Sequence, residues 1–443
     1  MKSIVNRHFL SASRLIITGF LFAILIGSLL LMLPFATKDG NGASFFDALF
    51  TSTSAVCVTG LVVRDTVTYW SVFGKAVILM LIQIGGMGVV TIAVAVTLVS
   101  GKKISLMQRS TMQEAISAPK VSGIVRLTGF ILRTTAIFEL CGAFLISIRF
   151  IPEFGPVKGF CYSVFHSVSA FCNAGFDLMG EKEPFSSLTS YADIPLINIV
   201  IMLLIIVGGI GFLSWDDIRN NKLKFGKYRM QTKVILITSA VLTFIPALYF
   251  FFYEFSGMEI KSRILNSLFQ AVTPRTAGFN TFDLTKLTEG GQFLIIMLML
   301  IGGSPGSTAG GMKTTTIAVL FLTALAVFRK RRYTEAFGRS IAYETVRSAA
   351  TIFMMYIMMF TIGGIAISCI EHIPVIQALF ETASAIGTVG LTLGITPSLC
   401  LVSRLILISL MFFGRVGGLT LIFATISGKK HIYKLPDENI TVG

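Results

Sequence analysis

Apolar runs near twenty residues alternate with half-length apolar segments, and the alternation recurs four times along the chain. Runs over residues 15–33, 132–151, 234–253 and 349–370 are each long enough to cross about 30 Å of hydrocarbon. Each is followed by a segment too short to span, over 43–55, 157–170, 263–273 and 374–385. A second apolar run then returns, over 76–99, 194–213, 292–328 and 405–426. The pattern predicts an all-α polytopic membrane protein with eight spanning helices and four re-entrant segments. Its repeats of helix, pore helix, filter loop and helix cover 1–101, 102–221, 222–332 and 333–443. No loop is long enough to bury a core of its own, so no soluble domain is expected. Irregular backbone at membrane depth survives only where it is buried in protein or lines water, so the four dips must face one shared cavity.

Composition agrees with the pattern. The 443 residues are 54% hydrophobic and 13% charged, with mean hydropathy +0.80. A soluble domain carries about twice that charge fraction. The formal net charge of +15 could point to nucleic acid, but the placement of the charges excludes it. With the filter loops external, the segments inferred to be cytoplasmic hold 24 Lys and Arg and the external ones 10. This positive-inside bias predicts that both termini are cytoplasmic. The run over 15–33 is too long for the apolar core of a signal peptide and lacks a small-residue cleavage site, so it reads as the first span. The six cysteines show no CxxC spacing and read as small buried residues. The four histidines are scattered without ligand spacing.

After each half-length segment stands one altered motif. The copies are Ser54 to Leu61, Ser169 to Phe176, Thr273 to Phe279 and Ser384 to Leu391. A Phe precedes the motif glycine by ten positions in three copies (Phe50, Phe165, Phe380) and by nine in the third (Phe269). The candidate filter residues are Val58, Thr59 and Gly60; Asn173, Ala174 and Gly175; Thr276, Ala277 and Gly278; and Thr388, Val389 and Gly390. Glycine lets a stretched loop turn its carbonyls where a Cβ would forbid it. Four such loops around an axis would give rings of carbonyl oxygens, the means by which a dehydrated monovalent cation is held. A single copy could equally be small-residue helix packing; four copies in one register favour the ring. Only the fourth copy keeps a full Thr-Val-Gly, which predicts looser selectivity over sodium than in a tetrameric potassium channel.

A second candidate site interrupts the run over 292–328: Gly302, Gly303, Ser304, Pro305, Gly306, Ser307, Thr308, Ala309, Gly310, Gly311, then Met312 and Lys313. The flanking apolar stretches place the break near mid-membrane, and a loop this rich in Gly, Ser and Thr suits a gate beneath the filter. A static helix kink is the alternative. Arg415 lies within the last spanning run, where a guanidinium is costly and needs a partner or a wet cavity. It reads either as a barrier and counter-charge to the gate loop or as an ion pair with a carboxylate such as Glu139. Lys313 carries the same ambiguity. Arg275 is expected to point behind its loop toward a carboxylate such as Asp47 or Glu381, and Glu139 to make an interhelical hydrogen bond.

The four loops, the run Ala271-Val272-Thr273-Pro274-Arg275-Thr276-Ala277-Gly278-Phe279-Asn280 and the segment Phe413-Gly414-Arg415 resemble the Trk/Ktr/HKT superfamily of potassium transporters. The membrane subunit of the bacterial Ktr system is the nearest form, and the resemblance runs from about Leu15 to the C-terminus. It implies a potassium-translocating subunit in a bacterial cytoplasmic membrane, working as a homodimer. It further implies a cytosolic ring of nucleotide-binding (RCK/KTN) subunits that regulates opening, and uptake stimulated by sodium. No cofactor is expected beyond potassium in the pore, with sodium as the second candidate ion. A sodium- or proton-coupled secondary carrier is the second class. Carriers usually pair broken helices in inverted repeats, whereas these repeats share one orientation and only one helix is plainly broken. An intramembrane enzyme finds no support: there is no HExxH and no pair of aspartates in the spanning runs.

Overall fold

The computed structural model describes residues 12–92, 94, 106–115, 123–181, 183–222 and 224–418. The regular structure of the described residues is helical, apart from a hairpin of two-residue strands pairing Glu335–Ala336 with Arg339–Ser340. Four long outer helices cover Ala12–Leu31, Ile124–Phe154, Met230–Tyr249 and Tyr343–Glu371, the third running on through a π-turn at Phe250–Glu254. Only 22–33% of the residues in their apolar windows are buried. The remainder presents large side chains outward, such as Phe22, Phe144, Phe244 and Ile362. An apolar surface of that extent belongs against lipid.

Each outer helix leads into a short pore helix: Phe45–Val56, Pro156–Phe171, Ile260–Val272 and Val375–Gly387. Local chemistry starts them. Ser44 accepts the Asp47 N–H at 3.2 Å, and Pro156 takes the first position, where no N–H is needed. Phe50, Phe165, Phe269 and Phe380 are at most 3% exposed and form the centre of the core.

The inner helices depart from expectation. They cover Val72–Met87, Pro195–Ile210, Glu289–Leu300 with Thr314–Phe328, and Leu401–Val416. The sequence shows one broken helix, but the second bends as well, and the first and fourth end at glycines in the corresponding places. Gly88, Gly211 and Gly417 end three of them with φ of 83°, 101° and 88°. In the second repeat the chain bends by 95° into the helix Phe212–Asn221. These values lie in the left-handed half of the map, which glycine reaches without a Cβ clash. The cysteines depart as well: Cys57 and Cys172 are buried, whereas Cys141, Cys161, Cys369 and Cys400 are exposed. The first basic loop contains a short helix, Leu106–Ala115.

Candidate functional site

The four loops that follow the pore helices share a backbone signature. Val58, Asn173, Thr276 and Thr388 all take left-handed φ, of 58°, 58°, 69° and 52°. Gly60, Gly175, Gly278 and Gly390, two residues on, take φ of 91°, 67°, 78° and 93°. A β-branched residue held there costs about 1–3 kcal/mol and persists only where its surroundings impose it.

The glycines meet. A Cβ on Gly60 would strike the Ala174 carbonyl, and one on Gly175 would strike the Ala277 carbonyl. One on Gly278 would strike the Val389 carbonyl, and one on Gly390 the Thr59 carbonyl. The contact passes from each repeat to the next and returns to the first, so the loops close a ring walled by the oxygens of Thr59, Ala174, Ala277 and Val389. All twelve candidate filter residues sit in these four loops, and the non-glycine members are buried. The pore helices end there, so the partial negative charge of each C-terminus adds to the carbonyls.

Each loop is tied to its helix by a hydroxyl to which sequence reading assigned no role. Ser54 and Ser384 accept the N–H groups of Gly60 and Gly390 through Oγ, at 3.1 and 3.0 Å. Ser169 and Thr273 instead donate to the carbonyls of Phe176 and Phe279, at 2.7 and 2.6 Å. The signal was present: a Ser or Thr opens every copy of the motif.

On one side of the ring lies a cavity of about 250 Å³ whose walls include Asp65, Asp177, Asn280, Asp283 and Thr392. Asp65 is held by the N–H groups of Val67, Thr68 and Phe185. The Asp177 carboxyl is pushed up to about 7, mainly by desolvation, against the pull of the Met179 N–H and with a smaller contribution from nearby Asp65.

On the other side lies the interrupted inner helix of the third repeat. The Gly302 N–H donates to Met312 O at 2.7 Å and the Thr314 N–H to Gly303 O at 3.1 Å, which pinches the loop shut at its base. Ser304 Oγ and Thr314 Oγ1 pair at 3.2 Å, and Ser307 Oγ donates to Ser304 O at 2.7 Å. The loop docks on the second repeat: the Ser304 N–H donates to Gly209 O, the Thr308 N–H to Gly208 O and the Phe212 N–H to Gly306 O. The Pro305 carbonyl faces Gly211. Thr308 Oγ1 accepts from Asn173 Nδ2 at 3.1 Å and donates to Phe171 O at 2.9 Å, touching the second loop directly. Gly310 lies against the Thr388 side chain, and Gly311 against Gly387. The segment thus lies immediately under the ring, above a further cavity of about 300 Å³ whose walls include Gly306, Ser307, Ala309, Lys313 and Arg415.

Two cations hold this loop by its backbone. Lys313 Nζ donates to Ala309 O at 2.9 Å and to Gly310 O at 3.2 Å. Arg415 donates to Thr308 O, to Gly85 O, and to Gly86 O at 3.1 Å. Neither has a carboxylate partner among the described residues. The expected pair of Arg415 with Glu139 is absent, since Glu139 accepts from Gln83 at 3.3 Å, an interhelical contact. Arg275 does point behind its loop, but to Ser239 O at 3.4 Å rather than to either expected carboxylate. Asp47 is taken by Arg64 and Arg404, at 3.0 and 3.1 Å, and Glu381 by Thr392 and Thr396. Repeats one and four, adjacent in space, supply the nearer cations to Asp47.

Comparison with known proteins adds to the geometry. The sequence model of a family described as cation transport protein, TrkH, matches residues 11–431. The chain is 40% identical to a potassium/sodium uptake protein, NtpJ, of Enterococcus hirae, over all of this chain and 99% of that one. It is likewise 40% identical to the Ktr system potassium uptake protein B of Bacillus subtilis, over 96% of this chain and 95% of that one. The crystal structure of the potassium transporter TrkH from Vibrio parahaemolyticus superposes with a TM-score of 0.71. That match covers 95% of this chain and 86% of that one at 21% identity, and it bears on the fold alone.

Proposed function

The chain belongs to the TrkH family of cation transport proteins, a potassium/cation uptake transporter of the Ktr/Trk type and not an enzyme, and from that premise we propose how it works. It is the ion-translocating subunit of a Ktr-type system in the cytoplasmic membrane of a bacterium, both termini cytoplasmic. Potassium enters through the acidic vestibule and sheds water to the carbonyl oxygens of the four filter loops. The Gly-rich loop from Gly302 to Lys313, latched by Arg415, is the gate. Inward movement is driven by membrane potential, at about 2.3 kcal/mol per charge per 100 mV. A homodimer and a cytosolic nucleotide-binding ring that releases the gate complete the system. Sodium is the second candidate ion.

The observation that carries this reading is the closed relay of contacts among Gly60, Gly175, Gly278 and Gly390, with the loop directly beneath. With the second inner helix bent and the first and fourth ending at equivalent glycines, a lone broken helix is no longer a mark against a coupled carrier. The single closed ring favours a channel-like path, because alternating access needs two halves that rock apart. The test is expression in a potassium-uptake-deficient bacterium, with and without the ring subunit, followed by potassium and sodium uptake. Growth on low potassium is expected from the wild type. Gly390→Ser, whose Cβ must displace the Thr59 carbonyl, is expected to lower the potassium/sodium ratio several-fold. An unchanged ratio would remove Gly390 from the filter, and uptake strictly stoichiometric with sodium or protons would favour the carrier.

A further inference from the structure

One position beyond the buried Phe of each pore helix stands a polar side chain: Thr51, His166, Gln270 and Glu381. All four are buried, Thr51 at 1% exposure and the others at 0%. An apolar residue would pack there without penalty, whereas a buried polar group costs about 1–3 kcal/mol unless it is hydrogen-bonded. Three of the four find their partner in the same place, the segment two to six residues past the filter glycine.

Glu381 accepts the Thr392 hydroxyl through Oε1 and the Thr396 hydroxyl through Oε2, the latter at 2.7 Å. His166 Nε2 accepts the Leu178 N–H at 3.3 Å, while Nδ1 lies 2.7 Å from Tyr162 O in its own helix. Those two contacts define a neutral ring with its proton on Nδ1. The rings of Phe150 and Phe279 pack on it, at 5.4 and 6.4 Å between centroids, and Phe279 directly follows Gly278 of the next loop. Gln270 Nε2 donates to Asn280 Oδ1 at 3.3 Å, and the same oxygen accepts the Phe282 N–H. Thr51 differs: among the described residues its hydroxyl has no partner.

We propose that Glu381, His166 and Gln270 are positioning residues for ion selection, pinning the outer ends of three filter loops to their pore helices from one equivalent position; the first loop lacks a brace at that position and is tied by Arg64 to Asp47 instead. None of them borders the ion path. They act through the loop, which Ser169, Thr273 and Ser384 already tie to the pore helix at or just after its glycine. A loop anchored at two successive points resists the inward collapse that a smaller cation needs for close contact with the carbonyls. The inference rests on the filter reading above and adds to it where the ring gets its stiffness.

The experiment reads the potassium/sodium uptake ratio of the full-length protein in proteoliposomes, with incorporation measured separately. Glu381→Ala should lower the ratio about fivefold or more, and His166→Ala should act in the same direction. Glu381→Gln and His166→Gln each keep an acceptor oxygen near the lost position and should recover most of the ratio. Thr51→Val changes the equivalent, unpartnered hydroxyl and should leave the ratio within about twofold. Gly390→Ser, run alongside, separates the two readings. If it lowers the ratio while Glu381→Ala and Glu381→Gln both leave it unchanged, the braces are wrong and the filter stands. If Gly390→Ser leaves the ratio unchanged, the filter falls and the braces with it. A Thr51→Val effect as large as that of Glu381→Ala would also overturn the proposal, because burial alone would then explain both.

Discussion

Arg415 shows what a single residue can do here and how little of it is visible beforehand. A guanidinium presents five donors in a fixed fork, and three contacts from this one reach carbonyl oxygens on two different elements, Thr308 of the gate loop and Gly85 and Gly86 of the first inner helix. The residue therefore clasps the loop to a helix of another repeat instead of neutralising a carboxylate. Arg415→Ala is expected to raise basal potassium flux several-fold without the ring subunit, as measured in proteoliposomes at matched protein level. Arg415→Lys should close the gate only in part, since an ammonium cannot span both elements as the fork does. Loss of protein without any leak would assign Arg415 to structure alone. That Arg415 was costly at its depth could be read from the sequence. That its partners are backbone oxygens could not, because a carbonyl leaves no mark in the residue alphabet.

At the scale of elements, the inner helices repeat the lesson. The third break is legible because a dozen residues rich in Gly, Ser and Thr interrupt an apolar run. The other three turn at Gly88, Gly211 and Gly417, each part of a short glycine cluster inside a run read from the sequence as one apolar span. Periodicity reports burial and is silent about φ, so these breaks escape it. Just before each lies a second glycine in close contact: a Cβ on Gly85, Gly208 or Gly414 would strike the carbonyl of Val56, Phe171 or Ile386 at the end of a pore helix. Helix and filter thus bear on each other without an intervening side chain, and a shift of one is felt by the other. The pore helices were placed within a few residues, because a short apolar segment ending in a Gly motif is distinctive. On the reading proposed above, the loop from Gly302 to Lys313 closes the path through many contacts to the second and fourth repeats, with Arg415 as one of them. Deleting Pro305 to Gly310 should therefore raise flux and abolish its response to the ring subunit. Flux and regulation both left at wild-type values would mean that the segment is only a kink.

For the molecule as a whole, the ring is closed by contacts between chain segments far apart in sequence. Arg404 of the fourth repeat reaches Asp47 of the first across 357 positions, at 3.1 Å, beside the approach of Gly390 to Thr59. Closure leaves one vestibule on the side away from the gate, and its acids face whatever enters. With the orientation proposed above, that side is external. Asp177 titrates near 7 because burial disfavours its charge, so it is mostly ionised at external pH 8 and mostly neutral at pH 6. Protonation removes a negative charge from the entrance. A unit charge acting over about a nanometre is worth about 0.4 kcal/mol in water and more in a protein cleft. The KM for potassium should accordingly rise about two- to fivefold as external pH falls from 8 to 6, with little change in maximal rate, since the ring itself is untouched. Asp177→Asn, which can still accept the Met179 N–H, should show the higher KM at both pH values and lose most of the dependence. If the variant keeps the wild-type pH profile, the titrating group lies elsewhere and Asp177 is only a turn residue. If maximal rate moves while KM does not, protonation acts on the passage through the ring, and the vestibule has no part in gathering the ion.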